Sequence, residues 1–373
     1  MIQHALGQHL FMGLAGPSLT NEEKSFIVQN NIGGIVLFAR NLIEPRQIHE
    51  LCTEIQSLRY QMPDKAPLFI GVDMEGGRVA RLKSPFTTWP PLKKVGDLDN
   101  PTMSFHLSYS LGQELKAVGI NLDFAPCVDV LTNPRNTVIG DRAVSSQVDI
   151  VVKHASALVR GFIKSGVIAC VKHFPGHGNT LIDSHEDLPI EDVDYNRLQQ
   201  VELLPFKKAF RSRVDMVMMA HILFPQIDPD YPATLSETFI KKILKVDCRF
   251  RGLVITDDLG MKALTNRYST EEIAIRSLQA GADLLLYCND FEAPPLAMEA
   301  LTEACGNGPL KAQEIEANYQ KILQYKLDHL ENPDPMPLDE ALKIIGNAHH
   351  QKVAKALEEG VVPEGLLDDS ATS

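Results

Sequence analysis

Between positions 172 and 185 the chain carries Lys172, His173, His177, Asp183 and His185, five ionisable side chains in fourteen residues. Gly176 and Gly178 permit a tight backbone turn and Pro175 stiffens it. Asp183 precedes His185 by two residues. In a turned loop its carboxylate can reach the imidazole, fix the tautomer and raise the basicity of the ring. Such a pair suits a general acid/base near neutral pH. The plainer alternative is an Asx turn with histidines that merely organise a loop. His177 is read that way. For Asp183 and His185 the neighbouring Lys172-His173, at the end of an apolar run, favours chemistry.

Two further clusters lie at the ends of other apolar runs. Ile255-Thr256 leads into Asp257-Asp258. Asp257 comes straight off the run and can serve as a nucleophile towards a sugar anomeric carbon, while Asp258 is the better candidate to cap a following helix. Earlier, Asp73 and Arg81 can bind sugar hydroxyls through directional hydrogen bonds. Glu75 and Arg78, between them, are expected to form a surface ion pair. Arg142 is a further candidate in a loop, and His221 falls near the end of another run.

These residues need elements to hold them. Eight short β-branched or apolar runs, at 9–14, 34–38, 68–73, 121–125, 168–172, 216–220, 253–256 and 283–287, are separated by segments with helical spacing such as 45–58, 105–118 and 151–164. Apolar strands without alternation suit a parallel sheet buried on both faces. Eight strand–helix units predict a (β/α)8 barrel, an α/β fold with its chemistry at the C-terminal ends of the strands. A doubly wound sheet would need a Gly-rich phosphate loop after an early strand, and the sequence offers none. The barrel is expected over 1–331. A linker at 332–337, one helix over 338–360 and a mobile tail at 366–373 make up a C-terminal extension over 332–373. Residues 83–101 and 133–144 read as long loops, and 1–16 as the segment that forms the first strand.

Composition narrows the partners. The 373 residues are 44 % hydrophobic and 23 % charged, with a formal net charge of −12. That balance argues against nucleic acid or an anionic membrane as partner. No run approaches a membrane span. Residues 1–16 lack a basic start and are interrupted by His4, Gln8 and His9, which points to a cytoplasmic protein. The six cysteines are scattered without a CxxC, so buried free thiols are expected. No cofactor or metal is expected, and the chain is expected to be a monomer or a weak dimer.

Lys172-His173-Phe174-Pro175-Gly176-His177-Gly178, then Asp183-Ser184-His185, then Thr256-Asp257-Asp258-Leu259-Gly260-Met261, resemble glycoside hydrolase family 3, and within it the NagZ-type β-N-acetylglucosaminidases. The resemblance runs from about position 9 to about 330. It implies a retaining enzyme in which Asp257 is the nucleophile and His185, backed by Asp183, the acid/base. Asp73, Arg81, Arg142, Lys172 and His173 match sugar-binding positions. The implied substrate is a terminal N-acetylglucosamine on peptidoglycan-derived muropeptides, with phosphate as an alternative acceptor to water. The chain departs from the pattern at Met74, where glutamine is frequent, in the loop around Trp89, and in its C-terminal extension. Two other readings predict different behaviour. A metal-dependent barrel hydrolase would use His173, His177, His185, His221 and Asp257 as ligands. A silent sugar-binding barrel would bind N-acetylglucosamine without turnover.

Overall fold

A computed structural model describes residues 2–363; the tail expected to be mobile lies outside them. Each apolar run contributes one strand: β1 (Leu10–Gly13), β2 (Gly34–Leu37), β3 (Phe69–Val72), β4 (Leu122–Asp123), β5 (Ile168–Phe174), β6 (Met216–Met219), β7 (Leu253–Asp258) and β8 (Leu284–Tyr287). They pair in parallel in chain order, and β1 closes the barrel against β8. The fold is a (β/α)8 barrel.

The barrel interior is a packed layer of side chains. Phe11 stacks on Phe69 at 5.6 Å between ring centroids and leans on Phe124 at 6.5 Å. Phe11 needs Gly34 opposite it, since a Cβ there would sit 2.5 Å from its ring. Cys170, Met216, Met218, Ile255 and Leu286 complete this layer. Helices on the outside bury the other strand faces in a second apolar cluster. The helix Ala312–His329 carries Ile322 into the interior cluster, and Leu330 follows it there. Beside them the fully buried Lys326 donates from Nζ to Gln8 Oε1 and the Gly33 carbonyl, both at 2.7 Å, over the Phe69 ring.

Sequence expectations need correction at residues 2–7, 83–101 and 338–360. Residues 2–7 form a helix, Ile2–Gly7, before β1 begins. The 83–101 segment holds a helix, Leu92–Leu98, that starts directly after Pro91. A short two-stranded hairpin, Met74–Gly76 with Val79–Ala80, follows β3. The region 338–360 is two helices, Leu338–Ile344 and Ala348–Glu359. Gly346 breaks them at a φ of +61° and Asn347 caps the second by accepting the His350 amide. The 332–337 segment is anchored: Asp334 takes both guanidinium nitrogens of Arg59 at 2.7 and 2.8 Å. The cysteines are free, and all but Cys305 are buried.

Candidate active site

The hairpin after β3 explains much of the site. Asp73 sits at the junction, and the turn at Gly76, φ +95°, drives the backbone against Pro90. A Cβ on Gly76 would lie 2.4 Å from the Pro90 carbonyl oxygen. This turn points Glu75 inward, where it is 3 % exposed. Glu75 accepts a two-pronged bond from Arg142, at 2.9 Å from Nε and 2.7 Å from Nη2, and the Lys172 ammonium stands 2.6 Å away. Lys172 also donates to Asp73 Oδ1 at 2.7 Å. Burial would raise the Glu75 carboxyl, but Arg142 and Lys172 outweigh it and hold the group far below the usual carboxylate range. Burial likewise opposes the Lys172 charge, and Asp73 and Glu75 overcome it. The expected Glu75–Arg78 surface pair does not form. Arg78 instead meets Asp141 at 3.0 Å, both half exposed. Asp73 also faces Arg81 at 3.7 Å, and the buried Arg81 Nε finds no acceptor among the described residues.

His173, next to Lys172 on β5, is held from behind. Asp129, buried beyond β4, lies 2.7 Å from the His173 ring Nδ1 and accepts from the His173 amide, from the His177 amide at 2.7 Å and from the Cys127 thiol at 3.3 Å. On its other edge His173 Nε2 lies 3.3 Å from Arg142 Nη2. His177 is internal to its loop: its nitrogens meet the Thr180 and Ser184 hydroxyls.

Asp257, at the end of β7, accepts the amide of Asp258 at 2.8 Å. Burial pushes its carboxyl up, but His221, His173, the Asp258 amide and Lys172 together hold it below the ordinary value. Asp258 does not cap a helix. Its Oδ1 accepts the Gly260 and Cys288 amides and so ties the β7 turn to the end of β8. Asp183 accepts both the amide and Nδ1 of His185, at 2.9 and 2.8 Å. The His185 ring is 70 % exposed, at the mouth of the site.

Asp73, Arg81, Arg142, Lys172, His173, Asp183, His185 and Asp257 all line one cavity of about 450 Å³. Phe124, Met218 and Leu286, from the barrel interior, also line it. The ligand set of the metal-hydrolase reading does not converge. Both His177 nitrogens are taken by hydroxyls, and His221 is bonded to Thr234 and to the Asp258 carbonyl. Cys127, Asp129 and His173 do bring donor atoms within 4.8 Å of one another, and these atoms are already joined by the hydrogen bonds given above.

Residues 2–325 match the N-terminal domain of glycosyl hydrolase family 3. The chain belongs to glycoside hydrolase family 3. A β-hexosaminidase of Nitrosomonas eutropha is 38 % identical over 299 residues, 79 % of this chain and 83 % of the relative. A family 3 β-N-acetylglucosaminidase from a Paenibacillus species superposes with a TM-score of 0.87 at 34 % identity, over 96 % of this chain and 68 % of that one. NagZ from Neisseria gonorrhoeae, solved with N-trifluoroacetyl-D-glucosamine, gives a TM-score of 0.77 at 31 % identity, over 95 % of this chain and 98 % of that one. This family 3 barrel therefore shares its architecture with sugar-cleaving enzymes along nearly its whole described length.

Two residues of the site escape the sequence reading. Glu75 looks like a surface acid because its partner Arg142 is 67 residues away. Asp129 sits in the apolar run Val128-Asp129-Val130. Its place just after a barrel strand is the signal that marks it, since polar groups at strand ends face the barrel mouth.

Proposed function

We propose that the chain is a retaining exo-β-N-acetylglucosaminidase that removes a terminal N-acetylglucosamine from peptidoglycan-derived saccharides. One observation carries this reading: a single cavity is lined by a half-buried carboxylate, Asp257, held in its charged form, and an aspartate-backed imidazole, His185. At about 450 Å³ the cavity is at the small end of ligand pockets, roughly 300–1,000 Å³. Apolar residues of the barrel interior line it, which suits the end of a saccharide chain better than its middle. Asp73, Lys172, Arg142 and Arg81 offer charged donors and acceptors for hydroxyls. The β-hexosaminidase relatives and the N-acylglucosamine held by the Neisseria enzyme support the sugar.

The chemistry closes on these groups. A carboxylate oxygen of Asp257 attacks the anomeric carbon while the protonated His185 gives its proton to the departing glycosidic oxygen, and the old C–O bond breaks. A glycosyl ester on Asp257 results. The neutral His185 then takes a proton from water, whose oxygen attacks the anomeric carbon. The ester C–O bond breaks and both residues return to their starting forms. Asp183 holds Nδ1 throughout and leaves Nε2 for the proton transfer. A histidine in this role avoids the repulsion that a second carboxylate would feel beside Asp257. No helix among the described residues is long and apolar enough to cross a membrane.

The test compares nitrophenyl N-acetylglucosaminide with nitrophenyl glucoside, for the wild type and Asp257→Ala. The wild type should prefer the N-acetyl sugar, and Asp257→Ala should lose on the order of a thousandfold or more in kcat. Appreciable turnover by Asp257→Ala would refute the nucleophile. Saturable sugar binding without turnover by the wild type would refute the enzyme.

A further inference from the structure

His173 lies between two partners whose hydrogen-bonding capacities are fixed. On one edge, Arg142 Nη2 is 3.3 Å from Nε2. A guanidinium has no acceptor, so this contact is a hydrogen bond only if Nε2 carries a lone pair. The ring proton must then reside on Nδ1. On the other edge Nδ1 is 2.7 Å from Asp129 Oδ2, and a buried carboxylate is the acceptor that such an N–H needs.

Asp129 is well fixed in turn. It is 1 % exposed. Besides the ring it accepts the backbone amides of His173 and His177 and the Cys127 thiol. One carboxylate thus sets the ring and also the turn that leads out of β5. Arg142 cannot swing away from His173 freely, because its other bonds lock it onto Glu75.

We propose that Asp129 is a positioning residue that holds His173 in the Nδ1-protonated form, so that the ring offers the pocket an acceptor rather than a donor. The consequence for recognition rests on the glycosidase reading given above. Lys172, Arg142 and Arg81 can only donate. Of the groups described here as meeting the sugar, His173 Nε2 and Asp73 are the acceptors. A sugar hydroxyl that meets His173 must therefore donate its proton to Nε2, sharing that one lone pair with Arg142 Nη2 or displacing it, while its oxygen accepts from a neighbouring cation. Fluorine in place of that hydroxyl could accept but not donate.

The direct measurement is the nitrogen NMR of histidine-labelled full-length wild type at neutral pH, with His173→Gln to assign the signal. A pyridine-type Nε2 and a protonated Nδ1 are expected. An Nε2-protonated ring or an imidazolium would overturn the proposal, whatever the enzyme's substrate proves to be. Asp129→Asn gives the second test. If its carboxamide oxygen keeps the backbone amides, its NH2 must face Nδ1, which forces the proton onto Nε2 against the Arg142 donor. The His173 signal should switch tautomer, and kcat/KM should fall about 10- to 100-fold, mostly through KM, as when a partner that orients a histidine is removed. Cys127→Ala should leave the tautomer unchanged and activity within about twofold. A folded Asp129→Asn with the wild-type tautomer or undiminished kcat/KM would refute the assignment. Should the variant not fold, the wild-type spectrum alone decides.

Discussion

Replacing Glu75 by glutamine tests the electrostatic core of the site. The substitution keeps the shape and one acceptor oxygen but removes the charge. Two cations then lose their counterion. Arg142 has Glu75 as its only carboxylate partner within 4 Å among the described residues, and Lys172 keeps Asp73 alone. Removing one member of a buried ion pair costs about 3–5 kcal/mol, because the remaining charge stays in a poor solvent. With an unfolding entropy of roughly 2.1 cal/mol/K per residue, a chain of 373 residues loses about 4–6 °C of Tm for that cost. The matched control is Arg78→Gln, whose pair with Asp141 is half exposed on both sides and should cost about 0.5 kcal/mol or less. The assay is thermal or urea unfolding of both variants across pH. The Glu75 carboxyl lies below its unfolded value in the folded protein. Its stabilisation is therefore complete above about pH 4.5 and disappears as pH falls through the folded value. The difference between wild type and Glu75→Gln should be flat above about pH 5 and shrink below it. Equal and small losses for both variants would show that Glu75 is not the buried counterion described here.

Two further outcomes follow from named groups. His185→Ala should cost least with an activated nitrophenolate leaving group and most with an unactivated sugar, because only the latter needs a proton to depart; comparing kcat/KM on the two substrates checks this, and equal losses would remove His185 from the acid role. Burial pushes the Lys326 ammonium down to about 7. Between that value and the unfolded one near 10.4 folding releases a proton, so stability rises with pH there by a few kcal/mol at most. Tm should climb from pH 7 to pH 9 in the wild type relative to Lys326→Met, and parallel curves would refute the shift.

The barrel was legible because a parallel strand buried on both faces leaves an unbroken apolar run, and the helices between the runs are long and amphipathic. The strand-end rule then directed attention to Asp73, Lys172, His173 and Asp257 without knowledge of their contacts. Local backbone chemistry was harder to read. Pro90-Pro91 suggests a loop, yet a proline directly before Leu92 also opens a helix. Gly346-Asn347 is a stop followed by a cap, and the apolar spacing on either side hides it. Glu75 was illegible for a different reason. Its burial depends on a turn at Gly76 that fits only because Pro90 closes over it, and on cations contributed by two distant segments. No pattern within a short window encodes that.

The need for Glu75 follows from the charge the reaction develops. Without it the cavity would set Lys172, Arg142, Arg81 and Arg78 against Asp73, Asp183 and Asp257, an excess of positive charge that would favour an anion. A glycosidase has a neutral substrate, and its transition state carries positive charge at the anomeric carbon. Cations are useful there as rigid hydrogen-bond donors, but their field opposes the reaction. A buried carboxylate that neutralises Lys172 and Arg142 without lining the cavity itself would keep the donors while cancelling their field. On this argument Glu75→Gln should depress kcat more than loss of one donor would, and Arg142→Leu in the Glu75→Gln background, which removes the excess charge, should recover part of the lost kcat. A double variant no faster than Glu75→Gln would show that Glu75 acts by geometry alone.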